Sequence, residues 1–258
     1  LEGDNALALT NATVHIEGGN ITTVGNGTQN IGGLGFNGGT LVFGDVSPGT
    51  SVSDRFVETT GNLDLTGSGL VQITDGTAFE NAPVHPDTTL PLLQQDEQGA
   101  MVQVAGSQGT VTGSAGNLGL IDQNGDTVSA AVMNHITQNG EIVADGTYDY
   151  RLTSGDNQDG LYINYGLTEV ALLAQGDNAL TLNAEGNTNN AADLSARVTG
   201  SGDLRIATDT DVSLSDSEND YTGATWVTAG TLKMGNNNVL GNTRLLNLAD
   251  GTRLDMNG

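Results

Sequence analysis

A chain of 258 residues with 31 acidic and 7 basic side chains carries a net charge of −24. So acidic a body repels nucleic-acid phosphates and anionic lipid headgroups, which excludes nucleic acid as a partner. Glycine, at 38 residues, is roughly twice its usual share, aromatic residues are 4%, and cysteine is absent. That mixture favours short strands, tight turns and a thin aliphatic core over helices, and it rules out disulfides and thiolate metal ligands.

The chain opens on Gly3-Asp-Asn-Ala-Leu-Ala-Leu9, which returns as Gly176-Asp-Asn-Ala-Leu-Thr-Leu182. Leu1-Glu-Gly-Asp has neither the basic start nor the apolar centre of a signal peptide, so the chain is expected to be a fragment whose targeting parts lie elsewhere. Asn11, Asn20 and Asn26 begin Asn-x-Thr sequons, and His15 alternates with Val14 and Ile16 as an outward strand residue does. His85 and His135 lie far from it in sequence, and all three histidines are expected at the surface, with no nucleophile or metal cluster around them. Gly33-Leu-Gly-Phe-Asn-Gly38 matches the dinucleotide-binding spacing, but no helix follows to aim its amides at a phosphate, so corner glycines are the reading. Asn37-Gly-Gly-Thr-Leu-Val-Phe-Gly44 is an early copy of a Gly-Thr step that also occurs at Gly76, Gly109, Gly146, Gly230 and Gly251. A further echo pairs Thr66-Gly-Ser-Gly-Leu-Val-Gln-Ile73 with Thr199-Gly-Ser-Gly-Asp-Leu-Arg-Ile206.

Three of the four prolines fall between Asn81 and Pro91, so residues 81–98 are expected to form a loop leaving the body of the protein. Asp122-Gln-Asn-Gly-Asp126 spaces its oxygen ligands as a calcium loop does, but Met133 stands where the bidentate Glu belongs, and a polar turn is expected. Residues 127–136 are the one passable helical patch. Residues 145–165 read as a β-hairpin, its tyrosines covering one another across the strands, and it is expected to protrude. Asp209 and Asp211 share one strand face, the arrangement of a glycosidase carboxylate pair, but such pairs arise by chance among 31 acids. Trp226, between Thr225 and Val227, is expected in the core or a cap.

The strongest signal lies at the end of the chain. Val227-Thr-Ala-Gly-Thr-Leu-Lys-Met234 recurs as Leu248-Ala-Asp-Gly-Thr-Arg-Leu-Asp-Met256; Val227 and Leu248 are 21 residues apart and Leu232 and Leu254 are 22, one residue being inserted after Gly-Thr. Both copies alternate apolar and polar residues, and a repeat of this length is one turn of a solenoid whose turns bury their apolar faces on each other. The expectation is an all-β fold, a single-stranded parallel β-helix running continuously through residues 1–258. Charge divides along it, with two cations against 23 carboxylates over residues 1–196 and five against eight over 197–258.

Asn219-Asp-Tyr-Thr-Gly-Ala-Thr-Trp-Val-Thr-Ala-Gly-Thr-Leu232, with Asn238-Val-Leu-Gly-Asn242 and Leu248-Ala-Asp-Gly-Thr-Arg-Leu-Asp255, resembles the C-terminal strand repeat of autotransporter (type V secretion) passenger domains of the AIDA type. Gly146-Thr-Tyr-Asp-Tyr-Arg-Leu152 is similar to a segment of pertactin-like passengers. The resemblance implies a right-handed β-helix exported across the outer membrane of a Gram-negative bacterium to the cell surface, through a barrel beyond Gly258. It implies that residues 160–258 act as an autochaperone, a folding nucleus for which Tyr221, Trp226, Leu232, Leu248 and Leu254 are the candidates.

Without a catalytic constellation, and with no cofactor or metal expected, the function anticipated is non-enzymatic adhesion: cell aggregation, biofilm formation or host attachment. Its partners would be like molecules on neighbouring cells, host matrix proteins or glycans. The competing readings are a β-helical polysaccharide hydrolase or lyase, and a passive stalk for a more N-terminal functional region.

Overall fold

The alternation read from the sequence becomes strands throughout the computed structural model, which describes residues 1, 6–82, 85–97 and 102–256. Gly3, Asp4 and Asn5 of the first echo, Pro83, Val84 and Gln98 of the expected loop, and Asn257 and Gly258 lie outside the described residues. The fold is all-β with mainly parallel sheets, and the chain divides into two compact units. One comprises Leu1–His85, Gln98–Ala130 and Tyr150–Tyr165, the other Pro86–Glu97, Ala131–Asp149 and Gly166–Gly258.

In the first unit, α1 (Ala6–Leu9) precedes β1 (Thr13–Glu17), β2 (Ile21–Val24), β3 (Gly27–Ile31), β4 (Gly33–Asn37), β5 (Thr40–Phe43), β6 (Val52–Thr59), β7 (Leu63–Leu65) and β8 (Gly69–Ile73). There follow α2 (Gly76–Glu80), β9 (Val102–Ser107), β10 (Val111–Gly113) and β11 (Leu118–Ile121). Successive strands join three sheets in rotation: β1, β4, β7 and β10 form one, β2, β5, β8 and β11 a second, and β3, β6 and β9 run through a third, all parallel. Because parallel neighbours in register place like residues above one another, the core is built of rows. Val24, Phe43 and Ile73 form one and Leu41, Val71 and Leu120 another, all buried. Each such side chain contributes roughly 1.5–3 kcal/mol by leaving water.

Three further strands are β12 (Val132–Gln138), β13 (Glu141–Thr153) and β14 (Gly160–Leu172). Residues 150–153 and 160–165 of β13 and β14 belong to the first unit. There Gly160–Ile163 pairs antiparallel with β9, Tyr150 stands edge-on to Phe79 of α2 and to Tyr165, with ring centroids 5.3 Å apart in both pairs, and Tyr165 donates to the Ala130 carbonyl. Each ring pair adds about 0.5–1.5 kcal/mol beyond the area it buries. The hairpin expected to protrude is thus corrected: β14 is paired on its ladder and buried along nearly all its length. The tyrosines anchor it, because four large rings placed on a free-standing ribbon would stay wet.

The second unit continues with β15 (Leu180–Leu182), β16 (Asp193–Leu194), β17 (Arg197–Gly200), β18 (Leu204–Leu214), β19 (Ala224–Met234), β20 (Leu245–Leu248) and β21 (Arg253–Asp255). Residues 169–172 of β14 pair in parallel with β17. β18 and β19 bend midway, so their first halves stack with β15 and β20 and their second halves with β16 and β21. Val227 pairs with Leu248 and Leu232 with Leu254, so the repeat seen in the sequence is the register of the sheet. The inserted residue falls in the turn 249–252, before Arg253 takes its place opposite Thr231, rather than after Gly-Thr. Gly230 makes the corner of β19 with φ +75°, and a Cβ there would lie 2.6 Å from the carbonyl oxygens of Thr208 and Thr210. Gly230→Ala is therefore expected to cost about 2 kcal/mol, read by urea denaturation; a loss below a few tenths would show that the corner relaxes freely.

Two other expectations are corrected here. Residues 132–136 of the helical patch lie in β12, antiparallel to β13, because pairing across Val132–Tyr148 and Ile136–Ala144 outweighs a weak local helix preference. The Pro-rich segment does not simply leave the body: residues 92–97 are a 3₁₀ turn and its extension, with Leu93, Gln95, Asp96 and Glu97 buried. Gln95 accepts from Tyr148 Oη (2.5 Å) and, through its carbonyl, from the Leu167 amide (2.8 Å), and Asp96 accepts from the Ser195 amide (3.0 Å) and hydroxyl.

Candidate binding face

Parallel register also stacks the outward side chains, and the second unit presents two polar faces. On the first, Thr181, Arg205, Trp226 and Asn247 stand in one row. Trp226 is thus half-buried on the outer face rather than in the core, because Thr225 and Val227 take the inward positions on either side of it. On the second face Asp211, Thr231 and Arg253 form one row and Ser213, Lys233 and Asp255 the next. Asp211, Thr231, Lys233, Arg253 and Asp255, with Leu254 and Met256, line a shallow cleft of about 560 Å³.

Charge on this unit is arranged as ties between residues 22 to 41 positions apart in the chain. Lys233 bonds Asp211 (2.7 Å), Arg197 bonds Asp220 (2.6 Å), Arg205 donates to the Gly176 carbonyl (2.8 Å) and Arg244 bonds Asp203 (2.9 Å). Hydrogen bonds from Lys233 and Thr231 hold the Asp211 carboxyl below the usual carboxylate range against the opposing effect of its slight burial. Its neighbour on the strand, Asp209, is exposed to solvent.

Inside, a second set of ties joins stretches of chain about 20 residues apart. The buried Asn219 accepts from the Val198 amide (2.6 Å) and donates to the Val239 carbonyl (2.7 Å), linking residues 21 before and 20 after it. The Tyr221 hydroxyl meets Thr225 Oγ1 at 2.6 Å, which in turn meets Thr243 Oγ1 at 3.0 Å. Burial pushes the Tyr221 hydroxyl up to about 12, so it stays neutral. Of the nucleus candidates, Tyr221 and Leu232 have no exposed surface, Trp226 and Leu254 are half-buried, and Leu248 is 45% exposed. Asn219, Asp203 and Arg244 were not singled out from the sequence; the 20- and 21-residue steps from Val198 to Val239 were the signal that could have revealed Asn219.

The remaining motifs resolve locally. Asp122 accepts from the amides of Asn124 (2.8 Å) and Asp126 (2.9 Å) and from the Asn124 side chain, closing a polar turn on itself. His15, His85 and His135 are exposed, and His135 lies 2.5 Å from Asp145 across β12 and β13. Gly33 to Asn37 form β4 with no helix after them. Among the described residues no group of three or more His, Asp and Glu is placed to hold a metal ion, and no helix is long and apolar enough to cross a membrane.

No protein-family model matches the chain, and no solved structure matches it. Among curated proteins it is similar to two from Escherichia coli strain K12: the uncharacterised protein YuaQ, 45% identical over 261 residues, and the uncharacterised lipoprotein YdeK, 42% identical over 273. Both alignments take in the whole of this chain, which spans only 19% and 20% of those relatives.

Proposed function

We propose that both units are stretches of right-handed parallel β-helix from an autotransporter passenger of the AIDA or pertactin-like type, acting as a non-enzymatic adhesin at the surface of a Gram-negative bacterium. The observation that carries this reading is the coincidence of the sequence repeat with the parallel register: strands stacked at intervals of 20 to 22 residues from β18 to β21, with polar side chains in outward rows. The rotation of β1 to β11 among three sheets supports the same coil in the first unit. An envelope location is carried over from the name of YdeK, a lipoprotein. Residues 160–258, completed by residues 86–97 and 131–149 of the same unit, would serve as folding seed during export.

Outward rows such as Thr181, Arg205, Trp226 and Asn247 form hydrogen bonds at short range only, while a charge of −24 repels a second copy at long range. Self-association is therefore expected to strengthen as salt rises. Cells displaying the protein should settle faster than vector controls, and faster still at high ionic strength; settling at the control rate under both conditions would remove aggregation from the proposal. Release of reducing sugar from a polysaccharide panel would instead favour the hydrolase or lyase reading.

A further inference from the structure

We infer that the Gln138 side chain is a plug that closes the free edge of β15 against the addition of a further strand, and that its removal opens this edge to a second copy of the chain.

β15 stands at the end of its sheet, paired in parallel with β18 on one side and, among the described residues, with no strand on the other. Within a strand the N–H and C=O of one residue point to the same edge, and those of the next residue to the opposite edge. Thr181 sends both of its groups to Gln138: its amide donates to Oε1 (2.8 Å) and its carbonyl accepts from Nε2 (2.7 Å). Thr181 therefore faces the open edge, while Leu180 and Leu182 face β18. Ala179, which shares the parity of Thr181, is also engaged, its amide by the Gly176 carbonyl (3.2 Å) and its carbonyl by the Thr181 hydroxyl (3.2 Å). A primary amide carries a donor and an acceptor as a peptide group does, so Gln138 fills the place of a neighbouring strand.

The chain holds this plug at the base of a tight turn. Asn139 and Gly140, with φ of +54° and +85°, are the two residues between β12 and β13, and Gln138 and Glu141 close the turn as a cross-strand pair. Asn-Gly accepts two positive φ angles at little cost, so the backbone of Gln138 is fixed before its side chain reaches β15. The occupant that the plug excludes is an extended stretch of a second copy. β12 and β15 carry no carboxylate, and Arg205 stands beside Thr181 in the outward row. A chain of net charge −24 therefore repels its like less here than along its acid-bearing strands.

The test compares the full chain with its Gln138→Met variant, similar in side-chain length but unable to make either bond. Hydrogen exchange at the Thr181 amide should quicken at least about tenfold, while the amides of β18 and β19 keep their wild-type protection. Sedimentation equilibrium at low salt should show the variant associating at least about tenfold more tightly than the wild type. Adding Thr181→Pro should cancel that gain, because the N–H it removes points away from β18 and proline blunts an edge strand. Unchanged exchange at Thr181 would mean that packing covers the edge, and lost protection of β18 and β19 would make Gln138 a general support of the fold. Association no tighter than that of the wild type, or a gain that survives Thr181→Pro, would take the second copy away from β15. Any of these four results overturns the inference.

Discussion

Asp203→Ala is expected to remove about 2–4 kcal/mol from the second unit, because it deletes the buried acceptor of two amides, each costing about 1–3 kcal/mol when left unsatisfied. Asp203 is buried, and its two oxygens accept from the Gly176 amide (2.9 Å), the Ala224 amide (2.7 Å) and Arg244 (2.9 Å). Alanine would leave those amides without an acceptor in a dry site. Burial raises the Asp203 carboxyl, but the two amides and the arginine outweigh it and the net shift is downward. A carboxyl lowered on folding contributes stability that is complete above the unfolded value of about 3.9 and is lost as pH falls through the folded value. The wild type should therefore lose stability steeply below about pH 4, and Asp203→Ala less so. Urea unfolding followed by the fluorescence of Trp226, the sole tryptophan, reads both effects. A loss under about 1 kcal/mol would mean that water replaces the carboxylate.

A fragment of residues 160–258 is expected to remain largely unfolded by itself. This is the stretch proposed as folding seed, yet its unit is not closed within it. The Leu167 amide bonds the Gln95 carbonyl, Ser195 bonds Asp96, the Leu173 amide bonds the Val143 carbonyl, and Gln138 and Thr181 exchange two bonds of 2.7 and 2.8 Å. Removing residues 86–97 and 131–149 breaks all of these in a domain whose total margin is on the order of 5–15 kcal/mol. Hydrogen exchange compared with the whole chain is the measurement. If the fragment protected its amides on β18 and β19 as well as the whole chain does, the seed would be self-sufficient and the role given to residues 92–97 wrong.

What could be read in advance follows physical lines. The register of β19 with β20 and β21 was legible because parallel stacking makes sequence period and spatial neighbour the same thing. The tyrosine pairing was legible too, since alternating aromatics on two short runs have few other ways to become dry. Illegible features depend on partners distant in sequence. Nothing near Asp96 announces Ser195, 99 residues on, and three nearby prolines point toward solvent instead. Trp226 was misplaced because residue type suggested the core while strand parity, set by Thr225 and Val227, put it outside. The cleft gave no signal at all: Asp211, Lys233 and Arg253 are spread over 43 residues and meet only once the turns are stacked.

The ties of Asn219 and Asp203 have a mechanical meaning. In the surface-displayed coil proposed above, a pull from the end would release one turn at a time, each turn of about 21 residues paying out roughly 70 Å of slack. Asn219 joins a turn to both neighbours, and Asp203 with Arg244 reaches across 41 residues, so a turn cannot peel away without loosening the one beneath it. Such coupling spreads a tug over several turns, and the C-terminal unit would yield as a shock absorber does, in steps, before it lets go.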